Sequence, residues 1–227
     1  MTGPSASPRS TRKAKTRATT LKNDELAASK LRRRDQLTVA ALRLFSERAY
    51  DEVSIDDIAN EAGVAHGLLS YYFGGKRGVY VAALQMVHAD LEALTRPLRS
   101  DGDVAAQIKG MARRHFEYFR AHPQVMLGLL VSAPRDRETR AIAESAQVSG
   151  ARELLALLGL PGGPPPMLAV ALRGCMGFMH DVTVHWLSHG QNLEIEQLVD
   201  LCFDATVAAV EAAVGHPIGD ETEQVAG

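Results

Sequence analysis

The chain is poor in the features that mark membrane, secreted and disulfide-stabilised proteins. It has two cysteines in 227 residues, and Cys175 and Cys202 lie in separate apolar stretches without metal-ligand spacing. We interpret both as small buried hydrophobic residues and expect no disulfide and no metal site. No run of about 18 apolar residues occurs, and the amino terminus lacks an apolar signal core. We therefore expect no secretion, no membrane insertion and a cytoplasmic location.

Signatures of common enzyme classes are also missing. No glycine-rich phosphate loop follows a strand, and no Gly-x-Ser-x-Gly nucleophile elbow is present. His180 and His185 are five positions apart, so they do not share a helix face as a metal-binding pair four apart would. We therefore expect no catalytic residue, no metal and no cofactor.

Alternating strand patterns and internal repeats are absent as well, whereas apolar residues recur at helical spacing throughout. The composition, 46% hydrophobic and 23% charged, is that of an ordinary globular protein. We predict an all-α fold. Its helices are expected near residues 31 to 48, 55 to 62, 64 to 73, 76 to 94, 104 to 121, 125 to 131, 136 to 158, 167 to 188 and 194 to 214.

Residues 53 to 76 hold two short helices joined by a tight turn, followed by the start of a longer helix. Ser54 and Asp57 form a capping box, in which the Ser hydroxyl accepts a hydrogen bond from the third helical amide and the Asp carboxylate reaches back. A helix is therefore predicted to begin at Ile55. Gly63 supplies the left-handed residue that ends it.

The next helix has an inward face of Val64, Leu69 and Phe73, and an outer face that nothing in the pattern buries. A helix of this size fits the major groove, where polar side chains and a closely approaching glycine meet base edges. The pattern predicts a DNA-binding helix-turn-helix, although any small αα-hairpin would satisfy it too. The outer face comprises His66, Gly67, Ser70 and Tyr71.

Lys76 follows two glycines at the start of the longer helix. A lysine there meets the positive end of the helix dipole, which is unfavourable for an isolated helix. A DNA phosphate bound to the free backbone amides beside Lys76 would remove the conflict, and a lysine tolerated in solvent is the alternative.

Residues from about 33 to 84 resemble the amino-terminal domain of the TetR (tetracycline repressor) family of transcriptional regulators. Two positions differ from the usual family pattern, since Ala65 stands where a capping Ser or Thr is usual and Ser70 where a Tyr is common. The matching residues are Ala40, Ala41, Leu42, Arg43, Leu44, Phe45, Tyr50, Asp51, Ile58, Ala59, Ala62, Gly63, Val64, Gly67, Leu69, Tyr72, Phe73 and Lys76.

The resemblance implies a homodimeric, ligand-responsive regulator, usually a repressor, that binds a double-stranded DNA operator and a small hydrophobic effector. It implies that the helix opening at Ser54 touches the DNA backbone and that residues 65 to 71 read the major groove. It also implies that Tyr72 and Lys76 hold phosphates. The expected DNA-binding residues are Ser54, Ala65, His66, Gly67, Ser70, Tyr71, Tyr72 and Lys76.

The net charge of −2 conceals an asymmetry along the chain. Residues 1 to 34 carry ten basic residues against two acidic ones, which gives +8 and leaves −10 for the remainder. Residues 1 to 29 are rich in Ser, Thr and Pro, so we expect a disordered basic arm that is either a solvated tail or adds phosphate or minor-groove contacts. Such an arm would also suit an architectural protein that binds DNA without sequence preference, whereas a large acidic helical domain would not.

Three further segments complete the predicted organisation. Residues 30 to 75 form the helix-turn-helix domain, residues 76 to 215 form a larger effector-binding and dimerisation domain, and residues 216 to 227 form a flexible tail. The helices near 167 to 188 and 194 to 214 carry apolar residues on more than one face, so we expect them to pack two plus two in a homodimer. Leu198 or Val199, whichever faces the partner, is expected at that contact.

Large adaptable side chains recur at inward positions of the carboxy-terminal helices. Methionines and aromatics with a few polar anchors suit a hydrophobic small molecule, although the same residues would also fill an ordinary core. TetR-like regulators hold their inducer in this region, which favours the cavity. Arg173 would pair with an acidic head group, or with Asp181 or Glu211. The candidate ligand-binding residues are Met86, Met111, His115, Phe119, Met126, Arg173, Met176, Met179 and His180.

Overall fold

The structure is a computed structural model that describes residues 8–131, 137–159 and 164–215, with the backbone alone for residues 8–27, 128 and 129. The described residues are mainly helical and contain no strand, which confirms the all-α prediction. A π-helix spans Val125–Leu130, and 3₁₀ turns span Tyr50–Glu52 and Arg99–Asp101. The α-helices are α1 (Pro8–Glu47), α2 (Ile55–Glu61), α3 (Gly67–Phe73), α4 (Lys76–Leu94), α5 (Val104–Ala121), α6 (Arg137–Leu157), α7 (Pro166–Ser188) and α8 (Ile195–Val214).

Helix α1 differs most from the sequence-based expectation. It begins at Pro8, where a disordered arm over residues 1 to 29 was expected and a first helix only from about residue 31. The reason lies in the composition, because neither Gly nor Pro occurs between Arg9 and Glu47, and Ala, Leu, Lys and Arg favour a helix without any apolar periodicity. Residues 1–7, like the expected tail at 216 to 227, lie outside the described residues.

One hydrophobic core runs through both predicted domains. Leu37 and Phe45 of α1 pack with Ile58 and Leu69, and the same core continues to Phe116 of α5. Helix α4 connects the two parts. All six of its residues from Val79 to Leu84 are buried, so this stretch of α4 is covered on every side. A rigid connection between the helix-turn-helix and the carboxy-terminal helices follows from this packing.

The carboxy-terminal helices are joined by both apolar contacts and ion pairs. Arg113 of α5 donates two hydrogen bonds to Glu196 of α8, at 2.6 and 2.7 Å, and Lys109 reaches Asp200 at 2.7 Å. Among the described residues, α7 is long and apolar enough to cross a membrane by length and composition, which the search for apolar runs in the sequence missed. Only 22% of that stretch is buried, so α7 presents apolar surface that the described residues of the chain do not cover.

Candidate functional sites

The capping box at the start of α2 forms as predicted. The Ser54 hydroxyl accepts a hydrogen bond from the Asp57 amide at 3.0 Å, and the Asp57 carboxylate accepts one from the Ser54 amide at 2.9 Å. The Ser54 amide, with Arg48 nearby, holds the pKa of the Asp57 carboxyl below its usual value. Ser54 stays exposed at the amino-terminal end of α2, where backbone amides and the helix dipole favour an anion.

The turn after α2 packs α3 against α2 and leaves one face of α3 exposed. Gly63 has a φ of +63°, the left-handed conformation that glycine adopts without steric cost. Leu69 is fully buried on the inner face of α3. Gly67, Ser70 and Tyr71 are exposed together on the outer face, and Tyr71 is 67% exposed. Ala65 is exposed just before α3 and offers no side-chain cap.

His66 is held by a residue of the preceding helix. Its Nδ1 lies 2.7 Å from Oδ1 of Asp56, and both side chains are exposed. The sequence did not indicate this pair, because a contact between residues ten positions apart cannot be read from helical spacing. With Nδ1 facing Asp56, the other ring nitrogen of His66 is the one that points away from α2.

Lys76 makes a contact that its position in the sequence did not suggest. Its Nζ lies 4.4 Å from the centroid of the Tyr50 ring, a cation–π distance. This contact offsets the unfavourable meeting of a lysine with the start of α4. The glycines before Lys76 both have positive φ, 71° for Gly74 and 135° for Gly75. Tyr72 is half-buried and packs edge-on against Tyr71, with ring centroids 5.0 Å apart.

Gly78 is a residue of this region that sequence reasoning missed. A Cβ at this position would collide with the backbone carbonyl oxygen of Phe73, the last residue of α3. Helices α3 and α4 therefore approach more closely than any other residue type at position 78 would permit. The available signal was a glycine three residues inside a helix, where it lowers helix propensity without an evident local reason.

A cavity of about 330 Å³ lies among α4, α5, the π-helix, α6 and α7. From the sequence, we expected a cavity between the helix that begins near Lys76 and the helices at 104 to 121, 125 to 132, 136 to 158 and 167 to 188, which correspond to these elements. Seven of the nine candidate ligand-binding residues line it: Met111, His115, Phe119, Met126, Met176, Met179 and His180.

Met86 and Arg173 do not line this cavity. The residues of α4 that line the cavity are Leu84, Val87, His88, Leu91 and Glu92. Arg173 is exposed on α7, one turn before Met176. Both residues have apolar neighbours in the sequence, and these neighbours did not show whether the side chain lines the cavity.

His115 is the most strongly perturbed titratable group in the cavity wall. Burial, with a smaller effect of His180, lowers the pKa of His115 from 6.5 to about 4. Its Nε2 lies 3.0 Å from the Thr183 hydroxyl, which itself donates to the Met179 carbonyl at 2.7 Å. Because that hydroxyl proton is already used, Nε2 of His115 is the donor and its Nδ1 carries a lone pair.

Helix α6 lines the cavity mainly with small and polar residues that the search for large apolar side chains overlooked. Their spacing of three and four residues was visible in the sequence. Ser149 of this helix donates to Glu92 of α4 at 3.2 Å. The cavity-lining residues of α6 are Thr139, Ile142, Ala143, Ala146, Gln147, Ser149, Gly150 and Glu153. Within the described ranges, no group of three His, Cys, Asp or Glu side chains could hold a metal ion.

Similarity to known proteins covers the helix-turn-helix and, in longer matches, most of the chain. Residues 37–83, from Leu37 of α1 into α4, match the family of bacterial regulatory proteins, tetR family. The chain is also 25% identical over 175 residues to the HTH-type transcriptional activator FasR of Mycolicibacterium smegmatis, across 74% of this chain and 78% of FasR. The chain belongs to the TetR family of transcriptional regulators.

Other relatives of this TetR-family protein agree with that assignment. The HTH-type transcriptional regulator BetI of Agrobacterium fabrum is 30% identical over 113 residues, 48% of this chain and 54% of BetI. A tetR-family transcriptional regulator from Streptomyces coelicolor superimposes with a TM-score of 0.70 at 29% identity, across 84% of this chain and 93% of that one. These relatives are transcriptional regulators and not enzymes, and the chain is accordingly a DNA-binding regulator.

More distant structures share the fold of this regulator. FadR from Bacillus subtilis, solved in complex with stearoyl-CoA, has a TM-score of 0.63 at 15% identity, across 77% of this chain and 97% of FadR. The arrangement of an amino-terminal helix-turn-helix and a larger helical domain is common to both proteins.

Proposed function

We propose that this TetR-family regulator is a homodimeric repressor that leaves a near-palindromic operator when a hydrophobic small molecule occupies the cavity. The observation that carries the proposal is the course of α4. This helix begins at Lys76 beside α3 and contributes Leu84, Val87 and Leu91 to the cavity wall. Because the operator is DNA, we propose that the regulator acts in the cytoplasm.

The proposed DNA contacts divide into two kinds. His66, Ser70 and Tyr71 present side chains on the exposed face of α3, where they would meet base edges and carry sequence preference. The helix start at Ser54, with Tyr72 and Lys76, would meet phosphates and carry affinity. Gly67 and Ala65, both exposed and small, would let the backbone of α3 approach the groove.

The proposed switch is a shift in the position of α4. An effector that fits the cavity in only one position of α4 changes the population of spacings between the two copies of α3 in a dimer. Its effect on DNA binding is limited to the difference between its affinities for those two positions. The continuous core through α4 supports the coupling, because a packed helix moves as a unit and not residue by residue.

The proposed dimer contact uses the apolar surface that α7 and α8 leave exposed. Val170 is 68% exposed, Phe178 39% and Leu201 49%, which is unusual for side chains of their size on neighbouring helices. The expectation that Leu198 or Val199 makes this contact is wrong, because both are buried within their own protomer, at 2% and 0% exposure. Half-sites about 34 to 36 Å apart, or a multiple of this, would match the two-fold symmetry.

DNA selection followed by effector release tests the proposal. Purified protein is used to select bound DNA fragments, and the recovered sequence is placed upstream of a reporter and in a fluorescence anisotropy assay. We expect a near-palindromic site, lower reporter expression with the protein present, and release by compounds that raise the melting temperature of the protein. Compounds that bind free and DNA-bound protein with equal affinity would rule out the switch. Equal binding to the selected site and random DNA would favour an architectural protein.

A further inference from the structure

Two of the hydroxyl groups that line the cavity, those of Thr95 and Ser149, have already donated their protons within the protein. The Thr95 hydroxyl donates to the Leu91 carbonyl at 2.7 Å, and the Ser149 hydroxyl donates to the Glu92 carboxylate at 3.2 Å. His115 gives its Nε2 proton to Thr183 and keeps a lone pair on Nδ1. These groups therefore offer hydrogen-bond acceptors to a ligand and no donors.

The full charges in the cavity wall have the same sign. Glu92 of α4 and Glu153 of α6 line the cavity and are both half-buried. Glu153 lies one helical turn beyond Ser149, the residue that bonds Glu92, so both carboxylates belong to the α4–α6 side. No Lys or Arg occurs among the described lining residues. An anionic ligand would meet two carboxylates without a Lys or Arg to compensate them, which is costly for half-buried groups in a mostly apolar site.

The other side of the cavity is apolar and polarizable. Met111, Phe119 and Met179 line the wall that α5 and α7 form, and Met126 of the π-helix is 1% exposed. Thioethers and aromatic faces pack against alkyl chains of varied shape, and a ring face also attracts a cation. The cavity volume of about 330 Å³ lies at the lower end of the range for small-molecule pockets, about 300 to 1,000 Å³, so the ligand is small.

We propose that the effector of this cavity is a small lipophilic cation, with an ammonium group against Glu92 and Glu153 and an alkyl or aryl body against the methionine and phenylalanine wall. The inference rests on the proposed function, in which this cavity is the effector site. The positive charge defines this ligand class, so a fatty acyl anion of the same length should bind poorly.

Three probes of one chain length separate charge from hydrophobicity. Decylammonium, 1-decanol and decanoate are titrated into the full-length dimer by isothermal titration calorimetry, each below its micelle concentration. We expect decylammonium to bind roughly tenfold or more tightly than decanol, the ratio for a hydrogen bond to a charged group, and decanoate to bind weakest. Decanoate binding as tightly as decylammonium would overturn the proposal while leaving the cavity as an effector site.

Matched variants locate the preference. Glu92→Gln with Glu153→Gln should bring the affinity for decylammonium down to that for decanol and leave decanol binding unchanged. Glu144→Gln, an exposed position of α6 outside the cavity lining, should keep the full preference. If the double variant retained the wild-type preference for decylammonium, the ammonium would lie elsewhere and the assignment would be wrong.

Operator release separates this inference from the proposed function. Decylammonium that binds with the expected preference but leaves operator affinity unchanged would contradict the switch and not the ligand class. If none of the three probes binds, the cavity is not an effector site, and both the inference and the effector part of the proposed function fail.

Discussion

Tyr71 is the large aromatic side chain that α3 exposes most, and Ser70 lies next to it on the same face. Tyr71→Ala should relax discrimination at one or two base pairs of each half-site, by about 1 to 3 kcal/mol each, because base edges carry sequence information. Affinities for single-base-pair operator variants, measured by anisotropy, provide the check. A uniform loss of affinity across all variants would instead place Tyr71 on the phosphates.

Lys76 should show the opposite behaviour. Its Nζ is held over the Tyr50 ring at the start of α4, so Lys76→Ala should weaken binding to all DNA sequences alike and reduce the salt slope by roughly one. The salt dependence of binding is measured on operator and random DNA. Arg152→Ala on the exposed side of α6 is the control for removal of a positive charge. Unchanged affinity and slope in Lys76→Ala would remove the phosphate role.

Gly67, in α3, and Gly78, in α4, differ in what an added methyl group would contact. At Gly78 it would strike the Phe73 carbonyl, whereas at Gly67 no heavy atom lies within 4 Å. Gly78→Ala should destabilise the protein by about 1 to 3 kcal/mol through overpacking, and Gly67→Ala should leave stability unchanged. Thermal unfolding of both variants tests this, and equal melting temperatures would show that α3 and α4 separate without cost.

His115 predicts how stability depends on pH. Its folded-state pKa of about 4 lies below the ordinary 6.5, so between these values the unfolded chain binds a proton that the folded chain does not. Its contribution to the free energy of unfolding is complete above pH 6.5 and is lost as the pH falls towards 4. Urea unfolding of His115→Gln should depend less on pH across this window than the wild type. His122→Gln, at an exposed position, should retain the wild-type dependence.

At the scale of elements, α1 extends far beyond the core that it enters at Leu37. Residues 1 to 29 carry six basic residues, so we predict that their deletion weakens DNA binding with a smaller salt slope, by about 0.9 for each phosphate that the shortened protein no longer neutralises. Operator preference and thermal stability should not change. Replacing the six by glutamine in the full-length chain is the control for length. An unaltered salt slope in both variants would identify the segment as a solvated tail.

The helices were predicted better than the faces they present. Capping residues and Gly63 marked the bounds of α2, and apolar spacing marked α4, because these signals act within a few residues of the chain. The lining face of α6 was missed, since small and polar residues line a cavity only when other helices close it. The helical start of α1 was missed because its residues favour a helix by composition without an apolar stripe.

At the scale of the whole molecule, the exposed apolar face of α7 and α8 predicts dimerisation. Phe178→Asp or Leu201→Asp should yield monomers, because a carboxylate buried in an apolar contact is costly. Operator affinity should fall with it, since one half-site alone is then bound. Light scattering at micromolar concentration measures the mass. The control variant Val148→Asp, at a 49% exposed position of α6, should stay dimeric. If the double variant Phe178→Asp, Leu201→Asp is still a dimer, the contact lies elsewhere.

The sequence by itself determined the helical fold class, the capped helix-turn-helix and the supply of methionines and aromatics around one region. These follow from local hydrogen bonding and from the period of apolar residues, which neighbouring positions encode. Only the tertiary structure decided that Leu198 and Val199 are buried while Leu201 is exposed, and that Asp56 meets His66. It also decided that Glu92 and Glu153 share a cavity, because which face of a helix meets which neighbour depends on packing between segments far apart in the chain.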